Sequence, residues 1–158
     1  MPEIRAARRE DAERCAALCR EALDRLQEQR GGALLARREL GLVARALVRP
    51  GGMDRLLADA RRRIVVSCLD GVVVGLALGR VEEVGGASIG IIEGCYVEPP
   101  ARRAGAGRAL VGALVDWFGA AGCRGVDAGA LPGDRAAKSL LEASGFKARL
   151  ITMHRSEP

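Results

Sequence analysis

From Ile64 to Val97 the chain carries three β-rich apolar runs divided by two glycine turns, and this arrangement narrows the fold more than any other feature. Ile64-Val65-Val66 opens the first run. Asp70-Gly71 follows, a dipeptide that favours a two-residue hairpin because both positions tolerate positive φ. Val72 to Val81 reads as the partner strand, Gly85-Gly86 turns the chain again, and Ala87 to Val97 reads as a third strand. Strands joined this tightly pair antiparallel, so the segment predicts a meander. Pro99-Pro100 ends it, because proline brings no amide to a sheet ladder.

The flanks supply helices. Residues 3–7 read as a short strand. Asp11 to Gln29 reads as a helix, with Ala12, Cys15, Ala16, Cys19, Leu23 and Leu26 at helical spacing, and Gly31-Gly32 stops it. Residues 33–49 predict a second helix through Leu34, Leu35, Leu40, Val43, Ala44 and Leu47. Pro50-Gly51-Gly52 breaks it, and Met53 to Arg62 predicts a third. Beyond the meander, residues 105–121 predict a helix closed by Gly122, and Gly125 to Leu131 a strand. Asp134 is placed to cap a last helix over 135–144, which Gly145 closes, and Phe146 to His154 predicts a final strand. Strand, helix and strand in succession imply a right-handed crossover and a parallel pair.

The 158 residues suit a single domain. With 49% hydrophobic but only 3% aromatic residues, the core must be built from aliphatic side chains, as in an α/β (α+β) layer fold. The net charge of +5 is carried by arginine, since Lys138 and Lys147 are the only lysines. The arginines are interleaved with Asp and Glu, and Tyr96 and Trp117 stand alone, which argues against a nucleic-acid partner. Five cysteines without a CxxC pair, together with the late His154, suggest reduced buried thiols and no metal site. A charged N-terminus without an apolar signal core, and no run of membrane-spanning length, predict a cytoplasmic protein with no membrane partner.

The chemistry concentrates in one stretch. A strand ending at Val97 runs into Arg102-Arg103-Ala104-Gly105-Ala106-Gly107-Arg108, which opens a helix. The first amides of a helix lack intrahelical partners and sit at the positive end of its dipole, so they suit an anion such as a pyrophosphate. Gly105 and Gly107 lack a Cβ that would keep phosphates away, and Arg102, Arg103 and Arg108 add charge. A P-loop is absent. The dinucleotide fingerprint fails too: its third glycine is Leu110, Asp127 lies mid-strand, and the preceding strands form a meander rather than a βαβ unit.

Val97-Glu98-Pro99 followed by Arg102, Gly105 and Gly107 resembles the acetyl-CoA motif of the GNAT N-acetyltransferases, R/Q-x-x-G-x-G/A after a strand ending in V-x-P. The resemblance continues through Asp134, Ala137 and Gly145-Phe146, which match the family's N-x-x-A and G-F positions, so its strong part covers roughly residues 89–147. It implies a mixed sheet of about six to seven strands flanked by helices, with an antiparallel N-terminal meander and a splayed parallel pair. It also implies an acetyl-CoA co-substrate held by Cys95, Tyr96, Val97, Arg102, Arg103, Ala104, Gly105, Ala106, Gly107, Arg108, Asp134, Ala137 and Lys138. The pantetheine arm would lie between the splayed strands, and the Val97 amide would polarise the thioester carbonyl. A small-molecule or peptide amine would attack directly, with a homodimer as a possible assembly.

An ammonium must lose a proton before it attacks, so a base is required. Glu93 is the candidate. In ideal alternation it shares a strand face with Cys95 and Val97, although a β-bulge, frequent here in the family, would change that parity. The alternative is that Glu93 binds a cationic acceptor or pairs with an arginine.

Two positions depart from the family pattern. Leu141 stands where many members carry the tyrosine that protonates the leaving thiolate. Tyr96 points away from Glu93 by strand parity, and Cys95 is a core residue before it is an acid. Asp134 stands where the family often has Asn; it caps a helix equally well but donates no hydrogen bond when ionised. These departures keep a non-catalytic acyl-CoA sensor open as an alternative, along with a longer acyl chain or a hydroxyl acceptor. The acceptor segment, roughly residues 20–60, offers Arg30, Arg37, Arg38 and Glu39 without a pattern, although its arginines suit an acceptor carboxylate. Arg61-Arg62-Arg63 and Glu82-Glu83 read as solvated, Trp117 and Phe118 as core and rim, and His154 as uninvolved in catalysis.

Overall fold

The Asp70-Gly71 turn forms as its sequence predicts. Asp70 has φ 49° and Gly71 φ 79°, and the pair joins strand β2 (Arg62–Leu69) to β3 (Val72–Val84). The computed structural model describes residues 1–38 and 41–157. Glu39 and Leu40 lie outside the described residues, as do the side chains of Arg38, Val43 and Ala44. Gly85 and Gly86, both at positive φ, turn β3 into β4 (Ala87–Val97). With β1 (Glu3–Ala6) on the outer side of β2 and β5 (Val126–Ala128) beyond β4, the described sheet has five strands in the order β1-β2-β3-β4-β5. The first four pair antiparallel with their neighbours; β5 lies parallel to β4.

Each face of the sheet buries its own core, because alternate side chains point to opposite sides. On one face Ile64, Val66, Leu76 and Leu78 meet Cys15, Leu18 and Cys19 of α1 (Ala12–Gln27), Leu47 of α3 (Gly41–Val48) and Met53 and Leu56 of α4 (Gly52–Ala58). On the other, Val65, Ala77, Ile92 and Val97 meet Leu110, Val111, Leu114 and Phe118 of α5 (Ala106–Ala120), the crossover helix. The helix α2 (Gly32–Arg38) precedes α3, so the single helix expected over 33–49 is two. The α6 helix (Arg135–Ala143) is capped as expected: the Asp134 carboxylate accepts from the Ala137 amide at 2.9 Å.

Three further expectations are corrected. The sheet has five strands rather than six to seven, because Phe146–His154 stays outside it without regular structure. The strand expected over 125–131 stops at Ala128, and a turn follows, with the Asp134 amide on the Leu131 carbonyl at 2.9 Å. So short a β5 offers an outer partner little ladder. The C-terminal segment is instead held at the side by an ion pair from Arg149 to Asp127. The third correction concerns the arginine triplet. It does not end a helix: α4 ends at Ala58, and Arg62 and Arg63 already belong to β2.

Among the described residues no helix is long and apolar enough to cross a membrane, and no group of three or more metal-ligating side chains comes together.

Candidate active site

The site begins at a defect in β4. Leu78 pairs with Gly94, but Gly79 pairs with Ile92, so Glu93 is an extra residue with no cross-strand partner. This is a β-bulge, and it changes which way the neighbouring side chains point. Cys95 and Val97 stay on the α5 face with Ile92, whereas Tyr96 packs into the α1 face. Glu93 joins Tyr96 rather than Cys95, because its carboxylate meets Arg62 and Arg80, which alternate in register with Ile64 and Leu78 of the α1 face. The shared face expected for Glu93, Cys95 and Val97 is therefore wrong, and so is the expectation that Tyr96 points away from Glu93.

Glu93 is buried, with 7% of its surface exposed. Arg62 donates from Nη1 to Oε2 at 2.6 Å, and Arg80 Nε lies 3.0 Å from Oε1. Burial pushes the carboxyl above its ordinary value, and the two guanidiniums oppose the rise. Each arginine is held in turn by a second carboxylate: Arg62 Nε lies 3.4 Å from Asp59 Oδ2, and Arg80 Nη1 donates to Glu82 Oε2 at 2.5 Å. Arg62, Arg80 and their outer carboxylates Asp59 and Glu82 line a cleft of about 400 Å³ with Arg61, Val81 and Glu83, and Glu93 lies behind the two arginines rather than in its lining. Arg62 and Arg80 are the residues the sequence reading missed. Their signal was positional, since both fall on the parity of the core residues beside them.

The open edge of β4 follows from its hydrogen-bond alternation. The Glu98 amide donates to the Val74 carbonyl at 3.0 Å, so Glu98 and Val74 form a hydrogen-bonded pair. The adjacent pair, Val97 and Gly75, is then of the other kind, and its amide and carbonyl groups point away from each other. Val97 therefore turns its N–H and C=O toward the β5 side. Its carbonyl is taken there by Arg102, whose Nε donates at 2.8 Å. The last β5 residue, Ala128, pairs with Ile92, so among the described residues the edge of β4 from Glu93 to Val97 has no paired strand, which leaves a gap beyond the end of β5.

The helix entrance lies beside that gap. A 3-10 turn over Pro99–Ala104 leads to Gly105, which adopts φ 77° and opens α5. A side chain at Gly105 would meet no atom within 4 Å, so its glycine is required by backbone conformation. Gly107 has a different reason: a Cβ there would stand 3.3 Å from Leu140 Cδ2, so it lets α6 pack on α5. Ala106 is fully buried, while Arg102, Arg103, Ala104 and Arg108 are exposed around the entrance. Arg102 also lies over the Tyr96 ring at 5.6 Å. On α6, Ala137 is partly buried, and exposed Lys138 faces Glu142 at 3.8 Å.

Proton donors near the strand are few. Burial pushes the Cys95 thiol up to about 12, far above a coenzyme thiol, so it gives up a proton poorly. The Tyr96 hydroxyl donates to Glu21 on α1 at 3.1 Å. Leu141 is a half-buried apolar residue.

Comparisons with known proteins converge. Residues 36–146 match the family model described as acetyltransferase (GNAT) family. The aminoglycoside N(6')-acetyltransferase type 1 of Stenotrophomonas maltophilia is 36% identical over 101 residues, which are 60% of this chain and 66% of that protein, just under two thirds of its length. The aminoglycoside N-acetyltransferase AAC(6')-Iy, solved with a CoA bisubstrate analogue, superposes with a TM-score of 0.73 at 21% identity, covering 100% of this chain and 99% of that one. A transcriptional regulator from Bacillus halodurans C-125 superposes at 0.72 with 23% identity, covering 98% and 100%.

Proposed function

The chain belongs to the GNAT acetyltransferase family, and from that premise we propose that it transfers an acetyl group from acetyl-CoA to a primary amine of a small molecule, by direct attack in a ternary complex. The observation that carries this reading is the Val97 amide, unpaired with β3 and turned into the β4–β5 gap beside the α5 entrance. In that gap a pantetheine arm can pair with the strand edge. The Val97 N–H then sits where the thioester oxygen becomes negative, and the first amides of α5 meet the diphosphate. Arg103 and Arg108 are exposed at the entrance, and Lys138 is exposed on α6.

The proton balance assigns work to Glu93. One proton of the acceptor ammonium passes to the Glu93 carboxylate, directly or through a water, and the neutral amine attacks the thioester carbon. The C–N bond forms, the C–S bond breaks, and the second nitrogen proton ends on the coenzyme thiolate, leaving an amide and a free thiol. Glu93 then returns its proton to solvent. No side chain of Cys95 or Leu141 serves as acid in this scheme, and a thiol is a good enough leaving group to depart without one.

The acceptor would enter on the α1 face, between Glu93, Tyr96 and the α1–α2 turn. There a Cβ on Gly31 would come within 3.6 Å of Leu131 in the loop after β5. Aminoglycoside amines are the first class to test, since the curated relative carries that activity in its name. A second copy of the chain would cover Leu150, Ile151 and Met153, which are 72–86% exposed. The free thiols at all five cysteines suit a reducing cytoplasm.

The test is acetyl-CoA binding by calorimetry, followed by thiol release with a panel of aminoglycosides, polyamines and amino acids. Turnover of at least one amine, lowered by about 10²–10⁴-fold in Glu93→Gln with little change in acetyl-CoA affinity, is expected. Tight binding with no turnover across the panel would favour the non-catalytic sensor, the reading that Leu141 supports. Absence of binding would sink both.

A further inference from the structure

Glu93 is not a free carboxylate waiting for a proton. It is the middle member of a linear charge chain, Asp59–Arg62–Glu93–Arg80–Glu82, that crosses three strands. Arg62 and Arg80 face each other directly across β2 and β3, and the bulge extrudes Glu93 between them. Each guanidinium takes a different oxygen of the same carboxylate, so the group is fixed in orientation, and each oxygen keeps a lone pair.

An isolated carboxylate this deeply buried would protonate and lose its use as a base near neutral pH. Two cations at hydrogen-bond distance counter that tendency. We propose that Arg62 and Arg80 are positioning residues for acetyl transfer, which hold Glu93 ionised and in one orientation at the bulge so that it can accept the proton of the acceptor. This deepens the reading above and rests on it. The other charged groups near the cluster are Asp59 and Glu82, which steady the arginines, and the Arg61–Glu83 pair at 3.6 Å. From α1 come Glu21, bonded by Tyr96, and Arg25 beside it. None of these replaces the two direct contacts.

The sign follows. Removing one guanidinium leaves burial less opposed, so the Glu93 carboxyl should titrate at higher pH. A base must be ionised to act, so the acid limb of the rate profile should move up with it.

The experiment is a ¹³C NMR titration of glutamate-labelled protein, with the Glu93 resonance assigned by its loss in Glu93→Gln. Beside it, kcat/KM is measured against pH with neamine, or with the fastest amine of the panel. In Arg80→Met the Glu93 midpoint should rise by roughly one to three pH units and the acid limb should rise equally, with Arg80→Lys restoring both. An unmoved midpoint in folded Arg80→Met and Arg62→Met would overturn the proposal. A midpoint that moves while the rate profile stays put would instead remove Glu93 from the reaction, a failure of the underlying reading. If Arg80→Met unfolds, Arg62→Met removes the other guanidinium and carries the titration, with the Glu93 midpoint and the acid limb again expected to rise. A Lys midpoint lying below that of wild type would also count against the proposal.

Discussion

Gly90 faces the ring of Phe118 so closely that a Cβ at residue 90 would stand 2.4 Å from Phe118 Cγ. The ring is fully buried, and Gly79 across the strand pair leaves similar room, with a Cβ there 2.8 Å from Phe118 Cζ. The crossover helix thus approaches the sheet through a slot cut by two glycines, directly under the point where β4 pairs with β5 at Gly90 and Val126. Gly90→Ala should cost about 1–3 kcal/mol through overpacking. The check is urea unfolding, with partial recovery in Gly90→Ala/Phe118→Leu. An unchanged midpoint would show that the helix shifts freely, contrary to this packing.

The two glycines of the helix entrance should separate by mechanism. Gly105→Ala forces a side chain into left-handed backbone, at a cost of about 1–2 kcal/mol, and distorts the first amides of α5. Its acetyl-CoA affinity should fall with its stability. Gly107→Ala meets a side-chain end at 3.3 Å, which can yield, so its stability loss should be smaller and confined to α6 packing. Thermal melts with and without acetyl-CoA distinguish them.

Asp11 ties the first strand to the first helix. Arg5 donates two hydrogen bonds to its carboxylate at 2.7 and 2.9 Å, and the Arg8 amide adds one at 2.7 Å. Hydrogen bonding from Arg5 holds the Asp11 carboxyl below its ordinary range, against the cost of burial. A depressed folded value contributes stability that is present above the unfolded value near 3.9 and is lost as pH falls through the folded one. Asp11→Ala, which strands Arg5, should therefore destabilise by about 2–4 kcal/mol at pH 7, and the difference from wild type should shrink below about pH 4. Urea titrations at pH 7 and pH 3 measure both.

A second copy over the C-terminal segment predicts a dimer by light scattering. Ile151→Asp should shift the mass toward the monomer without lowering acetyl-CoA binding, since Ile151 lies outside both cores. A monomeric wild-type chain would rule this contact out.

What was legible in the chain was local. The Asp70-Gly71 and Gly85-Gly86 turns, the Asp134 cap, the Gly122 and Gly145 ends and the Gly105 entrance depend on residues within a few positions of one another, and each formed. The motif around Val97 and Gly105 could be read because strand end, turn and helix start are contiguous. The tertiary structure alone decided the rest. Where Glu93 points depends on how β4 registers against β3, and one extra residue in that register moved it to the other face. Its partners Arg62 and Arg80 lie on two other strands, so no spacing in the sequence joins them. The apolar content of Phe146–His154 suits a strand, but a strand exists only where a neighbour completes its ladder, and β5 ends too soon to provide one.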